Sequence, residues 1–283
     1  MNLPVVLKTK YAFHTLLWLL EPDLVLDVGS EDGSDSKRFR KLLPQADIVA
    51  FEGNPSHYRA MLEDQEVARN RIRVVYSLVS DTQGKRIFFL QRPVAGARNF
   101  NRGTSSLTRR DEDGAIAEEV LLDSVRIESF LAREYPKSSS VALWIDVEGH
   151  AHSVLEGIGG AKDRVKLVHV EVETSEMWPK QKIEADVMRL AASMGLVPIA
   201  RGADSVQRDL VLVKRSWYET NQFKIFVVLR LCRWWGPAVS RVLGWLTSSR
   251  RRSHSGARVG FPPPEAATST ALPRDIAEKT RSD

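Results

Sequence analysis

"LVLDVGSEDG", residues 24–33, is an apolar strand running into a turn that carries Gly29 and, four residues on, Gly33. Glycine at a strand-to-helix turn lets the backbone come close to a ligand, and the amino end of the following helix favours negative groups. A nucleotide or a carboxylate suits such a turn. The spacing differs from the GxGxxG of dinucleotide binders, which weakens a pyrophosphate reading. Some twenty residues downstream, Glu52 ends a second strand, "DIVAFEGN" (47–54), in the position where an acid accepts both hydroxyls of a ribose. Asp81 follows the third strand and stands next along the carboxyl ends of the strands, although it also begins the turn "DTQG".

The same alternation continues outward from this stretch. A helix is expected near 34–43 and another opens at Pro55, a residue favoured in the first helical turn. "RIRVVYSLVS" (71–80) reads as a third strand, which "DTQG" turns into "KRIFFLQ". After "VLLDSV" and the helix "IESFLAREY" come a fourth strand (141–148), a helix, a fifth strand "VKLVHVEVE" (165–173) and a helix from about 181 to 194. Strands near 196–201 and 209–214 complete the pattern. Strands alternating with helices predict an α/β fold with a mostly parallel sheet. No internal repeat is visible.

Composition agrees with one principal domain. With 283 residues, 43% of them hydrophobic and 27% charged, the chain can bury one good-sized core. Cys232 is the only cysteine, which excludes an intramolecular disulfide, a cysteine-ligated zinc and an iron–sulfur cluster. The early apolar run "YAFHTLLWLL" contains His14 and lacks a small-residue cleavage site, so residues 1–21 read as a helix rather than a cleaved signal. A cytoplasmic location is expected.

A second stretch, "LWIDVEGHAHSVLEGI" (143–158), starts like a buried strand and places Asp146, Glu148, His150 and His152 at every second position. Residues two apart share a face of a strand, so Trp144, Asp146 and Glu148 are expected on one side, opposite Leu143, Ile145 and Val147. The fifth strand repeats this with His169, Glu171 and Glu173. Unpaired buried carboxylates are costly, so these acids should be paired, bound to a cation, or line a wet cleft. His152 reads as a helix-surface or packing residue and Glu173 as a solvated strand end.

"LVLDVGSEDG", "FEGNP", "LVSDTQG", "GTSSL", "WIDVEGHAHSVLEGI" and "VHVEVE" together resemble, in order and approximate spacing, the FkbM-type methyltransferases. The likeness covers about residues 22–214. It implies a Rossmann-like seven-stranded fold with helices on both faces, S-adenosylmethionine as cofactor, and methyl transfer to a hydroxyl of a sugar, glycolipid or secondary metabolite. By this resemblance Asp27, Gly29 and Gly33 match the cofactor loop, Glu52 the ribose-binding acid, and Asp146, Glu148 and Gly149 the "DVEG" motif. With their neighbours Ser30, Gly53 and Asn54, and with Asp81, they make the candidate cofactor-binding set. Family members commonly carry Lys at Trp144, Glu at Ala151 and "FEPNP" in place of "FEGNP". Those departures leave open a competing reading, a methyltransferase-like binding module with weak or lost turnover.

A sugar hydroxyl is a poor nucleophile while neutral, so methyl transfer needs the acceptor held in line and relieved of its proton. Asp146 or Glu148 can act as general base if burial raises its pKa, and His150 with less perturbation; Glu171 completes the candidate catalytic set. Alternatively Asp146 and Glu171 hold a hard divalent ion such as Mg²⁺. The long polar stretch 92–117 offers Thr104, Ser105 and Ser106 as acceptor-binding residues.

Charge is unevenly spread. Ten Lys or Arg between Lys214 and Arg258 face one acid, Glu219, a local +9 that leaves −4 on the rest of a chain of net +5. A basic tail on a mildly acidic body argues against a nucleic-acid-binding core and confines anionic partners to the tail. Residues 22–215 are expected as the methyltransferase domain and 216–249 as a basic amphipathic appendage, broken at Gly236–Pro237. Residues 250–283 are expected as a disordered tail. Residues 223–252, with Trp234, Trp235 and Trp245, suit the interface of an anionic membrane, as on the inner face of a cytoplasmic membrane, or a cover for the domain or for a second subunit in a homodimer.

Overall fold

The computed structural model describes residues 4–93, 105–107, 115–177 and 181–253. Its first βα unit is β2 (Leu24–Val28) and α2 (Ser34–Leu42), preceded by a short β1 (Val5–Val6) and α1 (Thr9–Leu20). The unit repeats as β3 (Asp47–Glu52), α3 (Pro55–Glu63), α4 (Gln65–Arg69) and β4 (Arg73–Tyr76). After β5 (Leu78–Val79), β6 (Gly84–Pro93), β7 (Ala115–Val125) and α5 (Ile127–Glu134), the pattern resumes with β8 (Val141–Ile145), α6 (Ala151–Glu156) and β9 (Val165–Glu173). α7 (Glu184–Ser193), β10 (Leu196–Arg201), β11 (Gln207–Lys214) and α8 (Arg215–Ser253) close the chain. By contacts the chain divides into Met1–Ser249 and Arg250–Asp283.

The main sheet runs β1-β10-β11-β9-β8-β2-β3-β4. Every neighbouring pair is parallel except those of β11, which is antiparallel to both β9 and β10. The expected seven strands are all present, and β1 adds an eighth by pairing Val5 with Ala200 on the open edge of β10. β2 and β8 are buried at every position, as strands covered on both faces must be. From β2 the chain adds strands towards β4 and later, from β8, towards β10. The crevice between β2 and β8 is therefore a switch point, where open α/β sheets bind ligands.

Two expectations about strands change. The third strand is interrupted at Ser77, whose hydroxyl donates to the carbonyls of Leu78 and Asp123, and β5 leaves the main sheet to join β7 and β6 in a second, three-stranded sheet. The fourth strand stops at Ile145, so Asp146 and Glu148 stand in the turn beyond it rather than on a strand face.

Apolar layers cover both faces of the main sheet. One joins α1 and α2 to Ala142, Trp144 and Leu167, and the other joins α5, α6 and α7 to Leu143, Ile145 and Val168. Ile225, Val228, Leu229, Cys232 and Leu243 of α8 belong to the first layer, so the tail helices share the core of α1. Trp144 is buried there, stacked on His169 at 3.6 Å and 7°, and contacts Phe13 and Phe39 edge-on or tilted.

Candidate active site

A cavity of about 380 Å³ opens at the carboxyl ends of β2, β3, β8 and β9. Its floor depends on Gly29. The φ of this residue is +84°, and a Cβ there would lie 1.9 Å from the carbonyl oxygen of Asp146. The turn after β2 thus abuts the turn after β8, and the Asp146 amide donates to the Val28 carbonyl at 2.9 Å. The glycine serves two ends at once: close approach between two turns and access for a ligand.

On the β3 side, Glu52 lines the cavity and is almost wholly buried. Its two carboxylate oxygens accept from the backbone amides of Glu31 at 2.8 Å and Asn54 at 2.7 Å. Burial still raises its pKa to about 7, outweighing the amides that favour the anion. Gly53 and Asn54 line the same wall, and Asn54 caps α3 by accepting from the Ser56 amide.

Several expected cofactor residues lie behind the wall rather than on it. Asp27 is buried, accepts from the Ser36 hydroxyl at 2.6 Å, and has its pKa raised to about 7 by burial. Ser30 donates to the Asp27 carbonyl, and Gly33, at φ +70°, precedes the first turn of α2. These three shape the glycine turn. Asp81 does not line the cavity; its carboxylate pairs with Arg86 at 3.1 Å and its carbonyl accepts from Arg126.

The acids converge on the opposite wall. Asp146, Glu148, His150 and Glu171 all line the cavity. Asp146 is exposed to solvent yet packed among neighbouring protein groups, and the resulting desolvation, with the charges of Asp209 and Asp35 next, raises its pKa to about 6. Glu171 is raised to about 8 by burial and then by the charges of Asp146 and Glu148. His150 is lowered to about 4, by burial first and then by Arg86. Glu173, expected as a solvated strand end, is buried and accepts from the Gly149 amide at 3.1 Å, which holds the "DVEG" turn against β9.

Gln207 was not foreseen from the sequence. Its amide nitrogen reaches Glu171 at 3.1 Å and Glu148 at 3.4 Å, joining the two carboxylates. Only the antiparallel register of β11, which sets Gln207 opposite Glu173, brings it there, and no local pattern signals that register. His57 and Glu31 line the cavity equally without a sequence signal. Ser105 and Ser106 line it too, and Ser106 donates to the Glu148 carbonyl at 2.7 Å, so it steadies the acidic turn. Thr104 lies outside the described residues. Among the described residues, no three of His, Cys, Asp and Glu are grouped to hold a metal ion.

Residues 27–195 match the profile of the methyltransferase FkbM domain. The 2-O-methyltransferase NoeI of Sinorhizobium fredii is 24% identical over 204 residues, covering 69% of this chain and 81% of that one. The hexuronic acid methyltransferase AglP of Haloferax volcanii is 25% identical over 177 residues, covering 60% of this chain and 67% of its own. Among solved structures, a putative O-methyltransferase from Klebsiella pneumoniae superimposes with a TM-score of 0.41 at 12% identity, covering 74% of this chain and 81% of that one.

Proposed function

The chain belongs to the methyltransferases with an FkbM domain, and on that premise we propose that it moves a methyl group from S-adenosylmethionine to a hydroxyl of a saccharide. The observation that carries this reading is the pairing, in one cavity, of a ribose-type acid at the end of β3 with a wall of carboxylates at the ends of β8 and β9. Carboxylates raised by burial and mutual repulsion are relieved by a cation. The residues present therefore fit a sulfonium nucleoside: Glu52 for the ribose, the Gly29 turn for close backbone approach, and the acidic wall for the positive charge. When bound, the cofactor supplies an electrophilic methyl group.

Proton removal falls to Asp146. A pKa of about 6 leaves it ionised at neutral pH yet close enough to that pH to take a proton effectively. Glu171, at about 8, is mostly protonated there and so does not serve as the base, and His150, at about 4, is neutral but a weak base. Gln207 holds Glu148 and Glu171 in place beside the acceptor. The saccharide is supported by the hexuronic acid in the name of AglP, by the 2-O-methyl transfer in the name of NoeI, and by the polar lining of the cavity. Trp144 and Ala151, the departures behind the inactive-module reading, are both core residues outside the cavity lining, which favours turnover over that reading.

The test is transfer of labelled methyl from S-adenosylmethionine to a panel of saccharides and glycolipids, with and without EDTA, by the wild type and Asp146→Asn. The expected result is EDTA-insensitive labelling that rises with pH through about 6 and falls at least about a hundredfold in the variant. An unlabelled panel with intact cofactor binding would refute the saccharide acceptor, and equal rates would remove Asp146 as base.

A further inference from the structure

α8 is apolar on two opposite faces. Its backbone leaves helical geometry at Asn221 and Trp235, so residues 222–234 form one straight segment. Ile225, Val228, Leu229 and Cys232, spaced three and four apart, are buried against the domain. Phe223, Phe226, Val227, Leu231 and Trp234 lie on the other side of the same turns and face solvent, Phe223 with 79% and Trp234 with 71% of its surface exposed. A helix apolar all round needs a second partner for its outer stripe.

Charge selects the partner. Lys224, Arg230 and Arg233 are exposed within or beside the stripe, and Arg230 and Arg233 lie over the rings of Phe226 and Trp234 at 5.3 and 5.6 Å. Glu219 is the sole acid between Lys214 and Arg258. In a two-fold dimer the stripe would meet its own copy, setting these cations against one another with no acid on the segment to answer them. Exposed tryptophan and phenylalanine interleaved with arginine instead match the headgroup boundary of an anionic bilayer, apolar below and negative above. Among the described residues no helix is long and apolar enough to cross a membrane, so contact would be from one side.

We propose that the outward face of α8 from Phe223 to Trp235 docks on the surface of an anionic lipid bilayer. The direction of α8 relates the contact to the site. Cys232 meets Thr15 of α1 at 3.4 Å, and a Cβ on Gly236 would meet the Tyr11 ring at 2.5 Å. The helix thus runs along α1 towards its amino end, where Thr9 donates to Asp209 at 2.8 Å. Trp234 and Trp235 therefore lie towards the end of the fold that bears the cavity.

The experiment is co-sedimentation of the full chain with vesicles of phosphatidylcholine alone or mixed with phosphatidylglycerol. It needs no methyl acceptor, so its outcome is separate from that of the catalytic reading. Binding should favour the mixed vesicles by about tenfold to a hundredfold and weaken with salt, the scale of three basic residues at a charged surface. Lys224→Glu/Arg230→Glu/Arg233→Glu and Phe223→Ser/Trp234→Ser change only exposed residues, and each should lose the preference while keeping the wild-type melting temperature. Equal binding to both vesicle types, no binding, or a salt-insensitive wild type would overturn the proposal. A dimer in light scattering that Phe223→Ser/Trp234→Ser dissociates, without vesicle binding, would assign the stripe to a second copy.

Discussion

Glu52→Gln separates the proposed ribose contact from everything else in the cavity. In the free protein Glu52 has a pKa of about 7 against an ordinary value of 4.5, because burial outweighs the two amides it accepts from. Ribose hydroxyls donate best to the anion, so binding pulls a proton off Glu52 and affinity depends on pH. Between pH 8 and pH 6 the ionised fraction falls about tenfold, which corresponds to about 1.4 kcal/mol of binding free energy. The variant cannot ionise. At pH 8 it loses hydrogen bonds to a charged acceptor and should bind about ten to a hundred times more weakly, or roughly 1.5–3 kcal/mol. It also lacks Glu52's share of the pH slope, so the gap between the two proteins narrows towards pH 6. Asp146 and Glu171 add their own pH dependence, but equally in both proteins, and the difference of slopes isolates Glu52. Calorimetric titration with S-adenosylmethionine at several pH values, in buffers of different ionisation enthalpy, reads both affinity and protons released. Parallel slopes for wild type and variant would refute the reasoning, as would unchanged affinity at pH 8.

Gly29→Ala should destabilise the fold by about 3 kcal/mol or more, since its Cβ would collide with the Asp146 carbonyl at a φ of +84°; urea unfolding within about 1 kcal/mol of wild type would contradict the abutting turns. His14 and His169 are buried, with pKa values lowered from 6.5 to about 3 by burial. Their folded values lie below the unfolded one, so the stability they permit is present above pH 6.5 and lost as pH falls towards 3. His14→Phe, which also removes two ring nitrogens with no hydrogen-bond partner, should flatten the fall in urea midpoint between pH 7 and 4. An unchanged fall would assign acid unfolding to other groups.

Much of the geometry of the candidate site was legible because it depends on short-range order. A strand leading into Gly29, a second strand ending in Glu52, and the turn of Asp146 and Glu148 each follow from a few contiguous residues. The α/β class followed in the same way from alternating runs. Strand ends were harder to read. Two-residue alternation continued through Asp146 and Glu148, so it placed Trp144 beside them, whereas β8 stops at Ile145 and Trp144 turns into the core against His169.

What the sequence determined by itself was the order of βα units and the chemical identity of the groups at the strand ends, because both are set by local periodicity and glycine geometry. The tertiary structure alone decided which acids face one another, that Gln207 joins Glu148 to Glu171, and that one face of α8 is core while the other is bare. It also decided the surroundings of Asp146 and Glu171 on which their proposed roles rest. A carboxylate's pKa is governed by burial and by charges that arrive from distant strands, and neither is encoded within reach of the residue along the chain.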